Sequence, residues 1–454
     1  MKKRKKGICL LLGMVCLLQI NVMPVQAEEA YWPVGPEVAG ESAIVMEAST
    51  GTILYEKNSH EQLYPASITK IMTSLLAIEN SSLDEQVTFS YDSVHKTEGT
   101  SISRDVDEVM TMEQCLYAVL IWSANDCAYA VGEHVGGTYD NFINMMNEKA
   151  AELGCTNTHF NNPHGLPDEN HYTSSHDMAL ISKEALKNET FRTIVGTKRY
   201  TIPCTNKHPD EETYLVNHHK MLFPYKDDKQ FLYDYCIGGK TGWTSQAGST
   251  LVTYGEKDGM TLICVVMKEQ GSNHYLDTRN LLDYCFENFQ LWNVAENETE
   301  YSSQNVNSKI FQNEEPFVKM NESGCIVLPK SVAFTDATSK VVDNNTSKNV
   351  AGTIQYTYAN RVVGGTDIEV TGVTVPKFPF QEQEKQETQK KVVTINIRHI
   401  LLGILGVIVI AGIGFTIYRF ADNFYLMRYK AFSKKQLSFK ERKAKKRRRK
   451  KRNY

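Results

Sequence analysis

Apolar positions recur along the chain with two different periods. Ser42-Ala43-Ile44-Val45-Met46 and Thr52-Ile53-Leu54-Tyr55, separated by Ser49-Thr50-Gly51, predict a hairpin with glycine in its turn. After Pro65 the spacing changes: Ile68, Ile71, Met72, Leu75 and Leu76 fall at i, i+3, i+4, i+7 and i+8, the stripe of a helix that buries one face. A second helix is predicted from a capping box, Thr111-Met112-Glu113-Gln114, through Leu116, Val119 and Leu120. Trp122 to Asn125 interrupts the helical pattern, and a further helix runs to Val135, where Gly136-Gly137 stops it. Between Gly238 and Met267 the pattern is that of strands, with Thr250-Leu251-Val252-Thr253-Tyr254 and Met260-Thr261-Leu262-Ile263-Cys264-Val265-Val266 joined across Asp258-Gly259. Helical spacing returns from Tyr275 to Phe289. Strands, then helices, then strands followed by a terminal helix predict an α+β domain, an antiparallel sheet with helices around it.

Beyond about Asn297 the chain becomes rich in Asn and Ser, and short strand-like runs follow at Thr353–Tyr358 and Asp367–Val370. A small β domain over residues 296–376 is expected, then a polar linker over 377–398. Residues 400–418 carry no charge across 19 positions, close to the ~20 that a helix needs to cross ~30 Å of hydrocarbon. They predict a C-terminal transmembrane helix. At the other end, Lys2, Lys3, Arg4, Lys5 and Lys6 precede an apolar run from Ile8 to about Ile20 and the small-residue stretch Val25-Gln26-Ala27. Residues 1–27 therefore read as a secretory signal peptide.

Composition and charge narrow the class. With 41% hydrophobic and 23% charged residues among 454, the chain is too apolar to be mainly disordered. The formal charge of −3 conceals an asymmetry: five cations before position 28 and a surplus of 14 after position 418 leave −22 on residues 28–418. Basic residues beside a membrane span mark its cytoplasmic side, so the acidic bulk is expected outside the membrane and the tail, 419–454, in the cytoplasm. That arrangement excludes a cytosolic metabolic role and makes nucleic acid an unexpected partner. The run Arg442 to Arg452 reads as an orientation signal with attraction to anionic lipid. Of ten cysteines, Cys9 and Cys16 fall in the signal. The other eight show no close Cys-x-x-Cys pair, and Cys115 and Cys264 sit in apolar helical and strand-like runs, so buried thiols are expected over a disulfide framework.

Three short stretches carry candidate chemistry. In Ser67-Ile68-Thr69-Lys70 the two polar residues are one helical turn apart, so a neutral lysine amine could take the serine proton. Alone this is weak, because Ser93-Val94-His95-Lys96 repeats it. Ser123-Ala124-Asn125 lies in the break between two helices, where a hydroxyl and an amide could face a cleft, yet Ser303-Gln304-Asn305 and Ser347-Lys348-Asn349 match it too. Lys240-Thr241-Gly242 occurs once, on a predicted strand, and offers a cation, a hydroxyl and a close backbone approach for a substrate carboxylate. Order is the stronger signal: a helix-opening Ser-x-x-Lys, an inter-helix Ser-x-Asn and a strand-borne Lys-Thr-Gly form the set used by penicillin-binding proteins and class A β-lactamases.

In these residues the sequence resembles the D-alanyl-D-alanine carboxypeptidases, the low-molecular-weight penicillin-binding proteins. The resemblance extends to Ser49-Thr50-Gly51 with Leu54-Tyr55, to Tyr64-Pro65-Ala66-Ser67, to Asn162-Pro163-His164-Gly165-Leu166, to His171-Tyr172 with Asp177-Met178-Ala179, and to Gly239 with Ala247-Gly248. It implies a β-lactamase/transpeptidase-like catalytic domain over residues 28–295. It also implies a serine-type carboxypeptidase that removes the terminal D-alanine from peptidoglycan stem pentapeptides ending in D-Ala-D-Ala and is acylated by β-lactam antibiotics. Carried over residue by residue, Ser67 is the nucleophile and Lys70 its base. Ser123 relays protons, Asn125 holds the substrate amide, and Lys240 and Thr241 hold the terminal carboxylate. Gly242 leads to Trp243, whose backbone N–H completes an oxyanion hole with that of Ser67. The family usually attaches by an amphipathic C-terminal helix, and a full span with a basic tail departs from that.

Competing expectations concern zinc, β-lactamase chemistry and a catalytically quiet wall-binding protein. His164, His171 and His176 lack a His-Glu-x-x-His pattern, and Pro163, Gly165 and Pro167 predict a loop, so neither a metal nor another cofactor is expected. A class A β-lactamase requires a glutamate for deacylation, and the nearest match, Glu184-Ala185-Leu186-Lys187-Asn188, has lysine where leucine is expected and falls in a predicted helix. A quiet homologue would show a broken motif, and all three motifs are intact.

Overall fold

A computed structural model describes residues 31–224, 226, 228–299, 318–342 and 350–370. The expected signal peptide, linker, span and cytoplasmic tail lie outside the described residues, and no described helix is long and apolar enough to cross a membrane.

All six residues of strand β1, Ser42–Glu47, are buried, because the strand is flanked on both edges and covered on both faces. It pairs with β2, Ile53–Lys57, through the predicted hairpin. The next two strands, β3 (Gln86–Thr88) and β4 (Val109–Thr111), form a small ladder of their own, as do β5 (Arg199–Ile202) and β6 (Thr213–Val216). The main sheet is completed by β7 (Cys236–Thr244), β8 (Gly248–Lys257) and β9 (Met260–Glu269), all antiparallel, in the order β2-β1-β9-β8-β7. Strand β7, which carries Lys240-Thr241-Gly242, is thus an edge.

Side chains alternate across this sheet with the period of two that a strand imposes. Ile44 and Met46 of β1 and Ile263, Val265 and Met267 of β9 enter one core, while Ala43, Val45, Leu262, Cys264 and Val266 enter the other. Because both faces are covered, β9 reads as an unbroken apolar run rather than an alternating one. The first core is closed by helices α1 (Lys70–Asn80), α2 (Tyr91–His95), α3 (Met112–Tyr117), α4 (Asn125–Gly136), α5 (Tyr139–Glu152), α6 (Ser175–Ala185) and α7 (Glu189–Gly196). The capping box at Thr111 and Gln114 forms with both of its hydrogen bonds, and Gly137 ends α4 at φ +68°. The second core is closed by α8, Asn273–Asn288, through Leu281, Leu282, Cys285 and Phe286.

The expectation of an α+β fold built on antiparallel sheets therefore holds. Helices α2, α5 and α7 fall outside the predicted elements. In α5 only Phe142, Met146 and Ala150 are buried in 14 residues, too thin a stripe to register against its polar neighbours.

Directly after α8 the chain enters a second sheet through β10, Phe289–Asn293, somewhat earlier than residue 296. This sheet also holds β11 (Val318–Met320), β12 (Cys325–Pro329), β13 (Thr338–Val342), β14 (Val350–Tyr358) and β15 (Arg361–Val370), in the order β10-β12-β15-β14-β13 with β11 on β15. Its core is Ile326, Leu328, Phe334, Ile354, Tyr356 and Val363. Trp32 packs on Phe289 with ring centroids 5.1 Å apart, and the Arg361 guanidinium lies over the Trp32 ring, 5.1 Å from its centroid. The eight cysteines from Cys115 to Cys325 are free thiols, five of them buried. Cys204 is exposed, which departs from the buried-thiol expectation.

Leu282 is fully buried between α8 and the sheet, against Gly255 of β8. Leu282→Ala is expected to cost about 2–5 kcal/mol of stability, read as a lower midpoint in urea unfolding with an unchanged slope.

Candidate active site

Ser67 does not open an α-helix. It stands on a 3-10 turn, Ala66–Thr69, from which α1 continues at Lys70. The turn is held tightly from three sides. Ala66 adopts a left-handed backbone at φ +50°, an uncommon conformation for a residue with a Cβ. Its carbonyl is approached so closely by Gly165 that a Cβ at that glycine would lie 1.9 Å from the oxygen. From the sheet, Thr250 Oγ1 donates to the Pro65 carbonyl at 2.9 Å. Gly242 lets β7 meet the turn, since a Cβ there would be 2.4 Å from Thr250 Oγ1 and 2.8 Å from Ser67 N. The amide of Ser67 and the end of the Lys-Thr-Gly stretch are thereby brought to one spot.

Lys70 is completely buried. Its Nζ lies 3.0 Å from Ser67 Oγ and donates to Asn125 Oδ1 and to the His164 carbonyl, both at 2.6 Å. Two of these three partners are pure acceptors, and the third is a hydroxyl that can itself donate. A neutral amine fits the set, with two N–H bonds given and one lone pair facing the Ser67 proton. Burial, followed by the charge of Lys240, holds the Lys70 pKa well below its usual value.

Ser123 terminates a π-helical turn, Ala118–Trp122, and is itself left-handed at φ +71°. This break in the helical path predicted from sequence turns the Ser123 hydroxyl toward β7, where Lys240 Nζ donates to it at 3.0 Å. Lys240 Nζ also donates to the Thr241 carbonyl at 2.8 Å. Burial pushes the Lys240 pKa down to about 7. Asn125 is oriented by two further bonds: its Nδ2 donates to the Glu98 carbonyl at 2.5 Å, and its backbone N–H donates to the Thr100 carbonyl at 2.7 Å. One amide hydrogen of Nδ2 is left for another acceptor. Next to it, the buried Asp126 carboxylate accepts from the backbone N–H groups of Ile102, Arg104 and Cys127 and pins the 98–104 loop over the site, while burial raises its pKa.

The structure thus brings Ser67, Lys70, Ser123, Asn125, Lys240, Thr241 and Gly242 together, with the exposed Trp243 on the rim of the same strand. The alternative motif at Ser93–Lys96 is not part of the cluster: Lys96 pairs with Asp92 at an exposed helix end. The loop histidines serve separate purposes. His171 accepts from Asn161 N at Nδ1, which leaves Nε2 to donate to Thr69 Oγ1; His164 Nδ1 accepts from Leu166 N; and His176 pairs with Asp177. Glu184, the candidate β-lactamase glutamate, is bound to Lys187 at 2.7 Å. Among the described residues no carboxylate hydrogen-bonds to Ser67, Lys70, Ser123 or Lys240. Sequence reasoning missed the His164 and Glu98 carbonyls, Asp126 and Thr250. Backbone acceptors carry no side-chain signature, although the Asn162–Leu166 stretch was among the resembling segments.

A sheet flanked by helices, with a serine, two buried lysines and a Ser-x-Asn turn at its edge strand, defines a penicillin-recognising serine peptidase. The family model for D-alanyl-D-alanine carboxypeptidases matches residues 27–271, and the chain belongs to that family of serine peptidases. The D-alanyl-D-alanine carboxypeptidase DacF of Bacillus subtilis is 35% identical over 260 residues, which are 55% of this chain and 62% of that relative. The D-alanyl-D-alanine carboxypeptidase of Streptomyces sp. K15 is 32% identical over 51% of this chain and 81% of its own length. Among solved structures, the Streptomyces K15 DD-transpeptidase superposes with a TM-score of 0.52 at 29% identity, covering 56% of this chain and 99% of that one. Penicillin binding protein 5 of Haemophilus influenzae shares the fold over 74% of this chain and 98% of its own, with a TM-score of 0.59 at 24% identity.

Gly242→Ala tests the close approach. The added methyl displaces Thr250 or the Ser67 turn, and the rate of acylation by a fluorescent penicillin is expected to fall by about 100-fold, the scale of an ångström-sized misplacement, with far-UV circular dichroism unchanged.

Proposed function

We propose that this protein is a serine-type D-Ala-D-Ala carboxypeptidase that trims peptidoglycan stem pentapeptides through an acyl-enzyme on Ser67 and that β-lactams block it by forming a slowly hydrolysed ester on the same oxygen. The observation that carries this reading is the placement of a fully buried Lys70 amine 3.0 Å from Ser67 Oγ, with a second buried amine, Lys240, beside Ser123.

The chemistry follows from those contacts. Neutral Lys70 takes the Ser67 proton as Oγ attacks the carbonyl of the penultimate D-alanine. The backbone N–H groups of Ser67 and Trp243 stabilise the oxyanion of the tetrahedral intermediate. Collapse breaks the amide C–N bond, and a proton passed through Lys70 and Ser123 leaves with the amine of the terminal D-alanine. Water then attacks the ester, again with Lys70 as base, and frees Ser67. Lys240 and the Thr241 hydroxyl hold the substrate's terminal carboxylate, whose charge favours the protonated form of Lys240. The remaining Nδ2 hydrogen of Asn125 holds the acyl amide.

In this reading residues 400–418 anchor the chain, the linker and the second sheet space the active site from the bilayer, and the basic tail lies in the cytoplasm. The −22 charge on residues 28–418 against the cationic tail supports that topology.

Ser67→Ala is expected to abolish both release of free D-alanine from a pentapeptide and covalent labelling by penicillin, with unchanged thermal unfolding; undiminished labelling would remove Ser67 from the role. Acylation rises with pH as Lys70 loses its proton, with a midpoint well below 10.5. Because the Lys240 charge helps to depress that pKa, Lys240→Gln is expected to move the midpoint of the limb to higher pH, measured as the second-order rate constant for penicillin acylation across the pH range.

A further inference from the structure

On the Lys240 side of the site the surface opens into a cavity of about 600 Å³, within the ~300–1,000 Å³ range of small-molecule sites. Trp122, Arg199, Val216, His218, Lys220 and Phe223 are among the residues that line it. It adjoins the catalytic residues through two links. Trp122 is the residue before Ser123, and the His218 N–H donates to the carbonyl of Ile121 at 3.1 Å. The His218 imidazole is close enough to Lys240 for that charge, after burial, to hold its pKa down to about 4.

The walls are fixed in place without an occupant. The Trp122 and His218 rings lie 4.8 Å apart, and Trp122 Nε1 donates to the Ser101 carbonyl at 3.1 Å. Asn217 Nδ2 donates to the carbonyls of Val195 and Thr197, which holds the segment bearing His218. The Arg199 guanidinium lies 5.2 Å from the centre of the Phe223 ring. Its surface is mostly apolar and aromatic, with Arg199, Lys220 and Lys226 as cations and no carboxylate in the lining among the described residues. On residues 28–418, which carry −22 overall, such a concentration of positive charge favours an occupant that brings an anion and an apolar body together.

We propose that this cavity is the side-chain subsite for the residue that leaves, and that it extends the substrate class to stem peptides ending in D-Ala-D-X, where X is a D-amino acid with a large apolar or aromatic side chain. This rests on the carboxypeptidase reading above, in which Lys240 and Thr241 hold the carboxylate of the departing residue. A methyl group would leave the cavity filled with water, whereas a phenyl ring reaches Trp122, His218 and Phe223 and gains their contact. The bonds changed are those of the D-alanine reaction: the D-Ala–X amide breaks, the Ser67 ester forms, X departs as a free amino acid carrying the proton, and water restores the serine.

The test compares purified protein on two synthetic pentapeptides that differ only in the last residue, D-alanine or D-phenylalanine, with rates expressed per active site titrated by penicillin. The D-phenylalanine peptide is expected to have a kcat/KM at least equal to that of the D-alanine peptide. Val216→Phe, which fills the cavity, is expected to lower the D-Phe to D-Ala ratio about tenfold, chiefly through KM, and Phe223→Ala to lower it in the same direction. A wild-type ratio below one tenth, or a ratio that neither substitution moves, overturns the subsite while leaving the carboxypeptidase intact. Failure to release D-alanine from either wild-type incubation, with penicillin still bound, would instead overturn the carboxypeptidase reading on which the subsite rests.

Discussion

Lys70 and Lys240 are removed from water by the same fold, and much of the surrounding architecture follows from the cost of keeping an ammonium group there. Lowering the Lys240 pKa from 10.5 to about 7 corresponds to a penalty on the charged form, relative to water, on the order of 5 kcal/mol. At Lys70 the charge of Lys240 adds to burial in disfavouring the ammonium form. A lysine in water is a poor base because it is already protonated; a lysine in this pocket has a free electron pair directed at Ser67. The acceptors around it, Asn125 Oδ1 and the His164 carbonyl, orient that pair rather than neutralise a charge, and Asp126, whose charge acts against the depression of Lys70, is occupied by three backbone amides.

That environment can exist only because the sheet is covered on both faces. Helix α8 seals one side, and the helices from α1 to α7 seal the other, so the edge strand β7 is backed by a dry interior along most of its length. Two left-handed residues, Ala66 and Ser123, aim the serines out of this interior. Each costs conformational energy of roughly 1–3 kcal/mol in a residue with a side chain, and each is held by contacts from other elements: Gly165 and Thr250 around the first, Lys240 and the 98–104 loop around the second.

Much of this was legible in the sequence, for reasons that differ between residues. Ile68, Ile71, Met72 and Leu75 announced α1 through their spacing, and the hairpins at Ser49–Gly51 and Asp258–Gly259 through their turn residues. The three motifs were recognisable because side chains do the chemistry and leave a fixed order in the chain. What escaped was what no side-chain pattern encodes. The 3-10 turn under Ser67 replaces the expected helical opening because Gly165 and β7 crowd it, and both are remote in sequence. The carbonyls of His164 and Glu98 act through atoms that every residue has. The cavity beside Lys240 arises where Trp122, Arg199 and His218 meet, and none of them stands out in its own local stretch.

The position of β7 at the end of the sheet order has a consequence for the shape of whatever occupies the cleft. Its partner β8 satisfies one row of its main-chain groups, and no further strand continues the ladder on the opposite side among the described residues. A ligand stretched out alongside Lys240, Thr241 and Trp243 can complete that ladder with its own peptide groups, as an added antiparallel or parallel neighbour. Recognition of this kind is blind to side chains but strict about backbone: a chain that is extended and free of N-substitution docks, and one that is coiled, or that carries proline at the pairing positions, does not.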